Sequence, residues 1–295
     1  MATKIQWTDE TYNPVVGCNK ISDGCKYCYA EMMAKRLASM GHKKYQDVVG
    51  NDGWNGEVYL DEKTLEEPLH WRKPRKVFVC SMGDLFHPKV PFGFIYRVFN
   101  VIRACKHHTF QLLTKRPENF LKFMEQRKKL QPDTSWPMLS NYWSLATCEN
   151  QKTANQRIPR LLQVPAKIRG VSCEPLLEEI NFRWTPYCYQ ATEETYRQYI
   201  DRKGEIDQYE FLKQLNWLII GCERLPGNKA GRFNGELIRT PFQHAKFYQA
   251  VRNLIQQGKD AGVPVFFKQL PINGEVVSDI NKFPKEFRIR EWPNA

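Results

Sequence analysis

The 295-residue sequence has no run of about 20 apolar residues, the length a helix needs to cross a bilayer. Met1 to Glu10 also lack the apolar core of a signal peptide. No membrane partner and a cytoplasmic location are therefore expected. Low-complexity tracts and repeats longer than a dipeptide are absent, which excludes a linker-rich or solenoid chain. There is no G-x-x-x-x-G-K-[ST], no H-E-x-x-H and no G-x-S-x-G, so the sequence marks of a P-loop ATPase, a zincin and an α/β-hydrolase are missing. Acidic residues are scarce relative to basic ones: 32 Asp and Glu against 44 Lys and Arg give a net charge of +12. A positive surface attracts polyanions, so a nucleic acid or a phosphorylated partner is expected. The charge is spread along the chain and marks no single tract.

What is present is an ordinary globular balance, 42% hydrophobic and 26% charged, in a chain long enough for two domains or one large α/β barrel. Short β-branched or aromatic runs alternate with segments of helical period, the signature of parallel βα units. Strands are expected at Tyr12 to Val16, Lys76 to Cys80, Thr109 to Leu113, Tyr142 to Thr147, Lys167 to Ser172, Trp217 to Gly221 and Val263 to Lys268. Helices are expected at Ala30 to Met40, Phe92 to Cys105, Pro117 to Lys128, Asn150 to Leu162 and Pro241 to Gln257. Two polar stretches, Gly41 to Arg75 and Leu177 to Gln214, interrupt the alternation and are read as insertions on one rim.

Nine cysteines are too many to ignore and too unevenly placed for a secreted disulfide scaffold. Cys18, Cys25 and Cys28 form C-x6-C-x2-C directly after the first expected strand. Three thiolates on one loop suit a 4Fe-4S cluster that keeps one iron free for an exogenous ligand. Structural zinc wants a fourth Cys or His close by, and His42 lies fourteen residues beyond Cys28. Cluster, zinc and unliganded thiols are the three readings, with the cluster favoured by spacing and context. Cys80, Cys105 and Cys188 read as core or loop residues.

With Tyr27 before its last cysteine, the loop resembles that of the radical S-adenosylmethionine (SAM) superfamily, although the first gap is six residues where three is usual. Further blocks are similar to a phage-associated radical-SAM-like family. They are Trp7-Thr8-Asp9 with Asn13-Pro14, Ser81-Met82-Gly83-Asp84-Leu85-Phe86-His87, Leu113-Thr114-Lys115-Arg116-Pro117-Glu118, Ser172-Cys173-Glu174-Pro175-Leu176 and Val263-Pro264-Val265-Phe266-Phe267-Lys268-Gln269. The resemblance implies an α/β fold, a partial (βα)6-type TIM barrel over residues 1–270 with insertions near 41–75 and 177–214, and a C-terminal extension over 271–295. It also implies a 4Fe-4S cluster on Cys18, Cys25 and Cys28, S-adenosyl-L-methionine as cosubstrate, and an external electron donor such as flavodoxin or ferredoxin. Tyr27, Ser81, Met82, Gly83, Asp84, Lys115, Thr147 and Ser172 are then the cofactor-binding candidates, with Gly83 and Asp84 at the place of the element that holds the methionine amino group. A turn capped by Asp84 is the plainer alternative.

In a parallel barrel the chemistry gathers at the C-terminal strand ends. Three expected strands end in the same dipeptide: Cys148-Glu149, Cys173-Glu174 and Cys222-Glu223. Each Glu is a candidate acceptor for a ribose, an ammonium or a substrate amine, or else the partner of Lys115, Arg169, Arg224 or Lys268. The three cysteines are small core residues, hydrogen-atom donors, or ligands of an auxiliary iron-sulfur cluster. His87 is a candidate base or iron-proximal hydrogen bond, or else a turn cap. Lys115, Arg116 and Lys268 suit phosphate or carboxylate. Trp136, Tyr142, Trp143, Trp184, Tyr187 and Tyr189 are rim or core aromatics. The expected function is hydrogen abstraction by a 5'-deoxyadenosyl radical from a nucleic-acid base, in DNA rather than RNA, such as rearrangement of a modified thymine in phage DNA. The alternatives are a radical SAM enzyme acting on tRNA or a small metabolite, and a non-catalytic iron-sulfur or zinc protein that binds nucleic acid.

Overall fold

A computed structural model of the chain describes residues 3, 5–130, 139–182 and 210–294, apart from the side chains of 210 and 211. Cys188, Trp136, Trp184, Tyr187, Tyr189 and most of the insertion expected at 177–214 lie outside the described residues. The chain divides into two compact units, Met1–Leu145 with Val164–Lys167, and Ala146–Gln163 with Ile168–Ala295.

The first unit builds a parallel sheet from β1 (Glu10–Tyr12), β6 (Lys76–Val79) and β7 (Thr109–Thr114), with β8 (Tyr142–Thr147) next in order and its last two residues in the second unit. Two helices, α4 (Phe92–Ala104) and α5 (Pro117–Leu130), follow β6 and β7. Phe94, Ile95, Val98, Phe99 and Ile102 repeat at helical spacing and are buried, as their periodicity predicts. Phe99 packs tilted on Phe120, which in turn stacks on Phe86 at 4.2 Å between ring centroids. Each such ring contributes about 1.5–3 kcal/mol by leaving water, so this cluster anchors the turn that follows β6.

The expected first strand is split in two. Pro14 has no N–H to give a ladder, and the Asn13 side chain instead accepts from Met82 N at 2.9 Å and Ser81 Oγ at 3.1 Å. Val15–Val16 (β2) then turns away and pairs antiparallel with Tyr59–Leu60 (β5). The insertion expected at 41–75 folds as α2 (Lys43–Gln46), the hairpin of β3 (Val49–Gly50) and β4 (Gly53–Trp54), β5 and α3 (Glu62–Leu65). It packs beside α1 (Tyr29–Ser39), where the Glu31 carboxylate takes Lys20 Nζ at 3.0 Å and Trp54 N at 3.3 Å.

In the second unit β9 (Ile168–Cys173), β10 (Trp217–Gly221) and β15 (Val265–Ile272) run parallel, and β16 (Glu275–Val277) returns antiparallel to β15. Asn273 and Gly274, at φ 50° and 78°, make this two-residue turn, for which left-handed conformations at both positions are favoured. After β10 come the short strands β11 (Arg224–Leu225), β12 (Lys229–Ala230), β13 (Arg232–Phe233) and β14 (Glu236–Leu237). The helices are α6 (Gln151–Leu161), the single turn α7 (Glu210–Lys213) and α8 (Pro241–Ala261). Capping boxes start α6, at Asn150 and Thr153, and α8, at Thr240 and Gln243. Residues 271–294 complete β15, form β16 and lay Trp292 on Trp217 at 5.2 Å, within this unit.

The architecture is thus mixed α/β with mostly parallel strands, and the described strands close no barrel. Tyr142 and Trp143 prove to be core residues, because every side chain of β8 is buried and none is left for a rim. Among the described residues no helix is long and apolar enough to cross a membrane.

Candidate metal centre

The thiol loop is set by a close backbone approach. Gly17 N donates to Met82 O at 3.0 Å, and Gly17 bridges Gly83 in parallel. A Cβ on Gly83 would stand 2.9 Å from Gly17 O. Gly17 itself has φ 101°, and a Cβ there would meet Glu57 O at 2.4 Å. Only glycine fits both places. The chain therefore leaves Gly17 against the Ser81–Asp84 turn and delivers Cys18 beside Asp84.

Asp84 joins the surrounding pieces. One carboxylate oxygen accepts from Phe86 N at 3.0 Å and Thr114 Oγ1 at 2.8 Å, and the other from Lys115 N at 3.2 Å and Arg116 Nη1 at 2.9 Å. All four acceptor positions of the carboxylate are used within the fold. Arg116, nearly fully buried, carries the charge onward to the loop. Its Nη1 lies 3.6 Å from Cys18 Sγ, and its Nη2 donates to Asn19 O at 3.2 Å and to Asn19 Oδ1 at 2.8 Å. Lys115 Nζ lies 3.6 Å from Cys25 Sγ, which also meets Ser22 Oγ at 3.7 Å. Cys18, Cys25 and Cys28 are half-buried, and so is Tyr27, with Lys26 over its ring. The Asp23–Cys25 turn, a single 3-10 turn, occupies the longer gap between the first two thiols.

These neighbours act differently on the thiols. Burial and the Asp84 charge push Cys18 up to about 11, against the pull of Arg116. Burial also opposes ionisation of Cys25, but Lys115 and hydrogen bonds from Ile21 and Ser22 outweigh it, so this thiol lies below its ordinary value. Cationic partners for sulfur are what an electron-rich thiolate site requires. Among the described residues no three His, Cys, Asp or Glu side chains are gathered to hold one metal ion. Cys18, Cys25 and Cys28 thus share one loop without standing as a gathered ligand set.

His87 reaches the same loop, with Nε2 at 2.5 Å from Asn19 Oδ1, while its Nδ1 accepts from Lys89 N at 3.2 Å. Those partners fix the neutral tautomer with the proton on Nε2. Burial, with the Arg116 charge adding to it, lowers the His87 pKa to about 4. Because the folded-state value lies below the unfolded one, the contribution is fully present above about pH 6.5 and is lost as pH falls toward 4. In urea melts at pH 7 and pH 4.5, His87→Gln should lose less stability on acidification than the wild type, by about 1–3 kcal/mol. Equal losses in the two proteins would refute this assignment.

The Cys-Glu dipeptides lie in the second unit, each Glu beside a cation. Glu149 is fully buried and takes Arg157 Nη1 at 2.6 Å, which also donates to Thr147 O at 2.7 Å. Glu223 is bidentate with Arg232, Nε to Oε2 at 2.9 Å and Nη2 to Oε1 at 2.6 Å. Glu174 pairs with Lys268 at 2.5 Å and keeps a fifth of its side chain exposed. Of the four cations named from sequence, Lys268 forms an ion pair with a strand-end Glu among the described residues. Arg157 and Arg232 were missed because they stand eight and nine residues downstream, outside the strand-end dipeptides.

Cys148, Cys173 and Cys222 are all buried. Cys173 has Cys148 as an electrostatic neighbour, whereas Cys222 sits among Glu174, Arg224 and Lys268. Burial raises the Cys173 and Cys222 thiols well above their ordinary value. In the absence of a metal such surroundings favour neutral thiols. Thr147 and Ser172 are buried, and their backbone carbonyls accept from Arg157 and from Cys148 N. Of the residues of the loop site, Asn19 carried no weight in the sequence, and Asn13 counted only as part of a resembling block. Their adjacency to Pro14 and Cys18 was the available signal.

A family model matches residues 2–286, almost the whole chain. The protein belongs to the DUF5131 family. The description of that family is "Protein of unknown function". The match spans every block described above, from Trp7 to Gln269, so this DUF5131 chain carries its thiol loop and its Asp84–Arg116 pair inside the matched region. No curated protein and no solved structure matches the DUF5131 chain.

Proposed function

We propose that this protein is a radical SAM enzyme that modifies or rearranges a nucleic-acid base. The observation that carries the reading is the thiol loop with its two cations, Arg116 at Cys18 and Lys115 at Cys25. Cys18, Cys25 and Cys28 would hold a 4Fe-4S cluster, and the alternation of parallel strands with helices is the framework a partial barrel of this kind uses. When bound, the cluster supplies the one electron that splits the sulfonium of S-adenosylmethionine into methionine and a 5'-deoxyadenosyl radical, which takes a hydrogen atom from a substrate carbon.

The chain's own residues bind and orient. Arg116 and Lys115 offset the negative charge of three thiolates. Asn19, held by Arg116 and His87, fixes the exit of the loop from Cys18. With its carboxylate engaged by four donors, Asp84 acts by holding Arg116 and the turn that carries Gly83. Neutral His87 offers no charge that would compete with a sulfonium. The net charge of +12 supports a polyanionic substrate, and DNA is preferred.

Anaerobic reconstitution tests this. The wild type should turn brown with about four irons per chain and release 5'-deoxyadenosine with dithionite and S-adenosylmethionine. Cys18→Ala, Cys25→Ala and Cys28→Ala should each lose the colour and the product. A colourless protein carrying one tightly bound zinc would refute the proposal.

A further inference from the structure

The second unit has a surface that the proposed chemistry leaves unused. Beside the first turns of α8 lies a cavity of about 430 Å3 lined by Arg239, His244, Tyr248 and Ile272 among others. Its two rings are held firmly: Tyr248 OH donates to Pro271 O at 2.7 Å, and His244 Nδ1 donates to the same oxygen at 3.1 Å. In the first turns of the same helix Phe242 is 66% exposed, an unusual cost for a phenylalanine, with the Lys246 ammonium 4.3 Å from its ring centroid. Arg239 is exposed and uses only Nη1, on Ala230 O and Ile238 O, so Nε and Nη2 have no partner among the described residues. Ala230, whose carbonyl Arg239 holds, lies opposite Arg224 in the β11–β12 pairing, and Lys229 precedes it in β12. Arg224, Lys229, Arg239 and Lys246 make no ion pair with any described carboxylate, while Glu236 and Glu275 are the anions among them.

We infer that this surface binds a single-stranded nucleic acid, with a base stacked on Phe242 and phosphates on Arg239 and Lys246. A single strand offers flat base faces and phosphates in alternation, matching an exposed ring flanked by unpaired cations. A duplex buries its base faces, and an acidic peptide brings carboxylates but nothing flat for the ring. The inference rests on the nucleic-acid part of the proposed function and supplies a contact surface for it. Binding here requires no cluster, so the two ideas fail separately.

Fluorescence anisotropy of a labelled oligothymidylate with the full chain, purified without reconstitution, decides it. Phe242→Ala should weaken binding about 5- to 50-fold and leave the salt dependence unchanged. The double variant Arg239→Glu/Lys246→Glu should weaken it more than about tenfold and lower the slope of log affinity against log salt by about 1.4, two phosphate contacts at about 0.7 each. Lys128→Glu/Lys129→Glu, an equal change of charge at exposed positions of α5, should stay within about twofold, and circular dichroism melts confirm that each variant folds. Equal weakening by this control pair, no effect of Phe242→Ala, or displacement of the oligonucleotide by polyglutamate as effective as by unlabelled strand would each overturn the inference. Binding that survives without 5'-deoxyadenosine formation would sink the cofactor reading alone.

Discussion

Asp84→Ala should cost about 3–5 kcal/mol of stability, the range seen when one partner of a buried ion pair is removed. The pair qualifies: the side chains of Arg116 and Asp84 are only 4% and 7% exposed. Truncation leaves the guanidinium in a poorly solvated place with Asn19 as its strongest acceptor, and it strips Thr114, Phe86 N and Lys115 N of theirs. Asp84→Asn keeps an oxygen of the same shape and removes the charge, so it should lie between. The measurement is the urea midpoint at constant slope. A loss below about 1 kcal/mol for Asp84→Ala would mean that the carboxylate does not organise the loop. Iron uptake should fall with stability in the same order, because Arg116 then no longer fixes the Cys18 side of the loop.

Arg157→Ala should be comparably damaging in the second unit, again about 3–5 kcal/mol. Its partner Glu149 has no exposed side-chain surface, and the same guanidinium also ties down the Thr147 carbonyl at the end of β8. The double replacement Glu149→Gln/Arg157→Met should recover a large part of that loss, since two uncharged side chains avoid a stranded ion. If Glu149 served substrate instead of the fold, Glu149→Gln would lower turnover with little change in the melt, and the double variant would show no rescue of stability. The cycle therefore separates a brace from a reacting group at the one strand-end carboxylate that is wholly enclosed.

Much of the framework could be read from period and composition. The stripe Phe94, Ile95, Val98 and Ile102 marked α4, and the run Trp217 to Gly221 marked β10, because burial on one face or both imposes those patterns. The thiol spacing placed Cys18, Cys25 and Cys28 on one loop for the same local reason. What spacing does not encode is which distant side chain a charge will meet. Arg116 suggested a phosphate ligand when seen only as a cation after a strand. Its contacts with Asp84, Asn19 and Cys18 span up to 98 positions of sequence and exist only once β6 and β7 lie side by side. Likewise Asn13-Pro14 interrupted a stretch whose β-branched content argued for one continuous strand, since a missing N–H and a side-chain acceptor outweigh propensity.

The fork of Arg116 ties heredity as well as geometry. One guanidinium serves a carboxylate on one side and an amide and a thiol on the other, so no member of this set is free to drift by itself. Descendants of this sequence that shed the acid at position 84 must trade away the base at 116 in the same step, or pass through the asparagine intermediate that keeps half of the bonds.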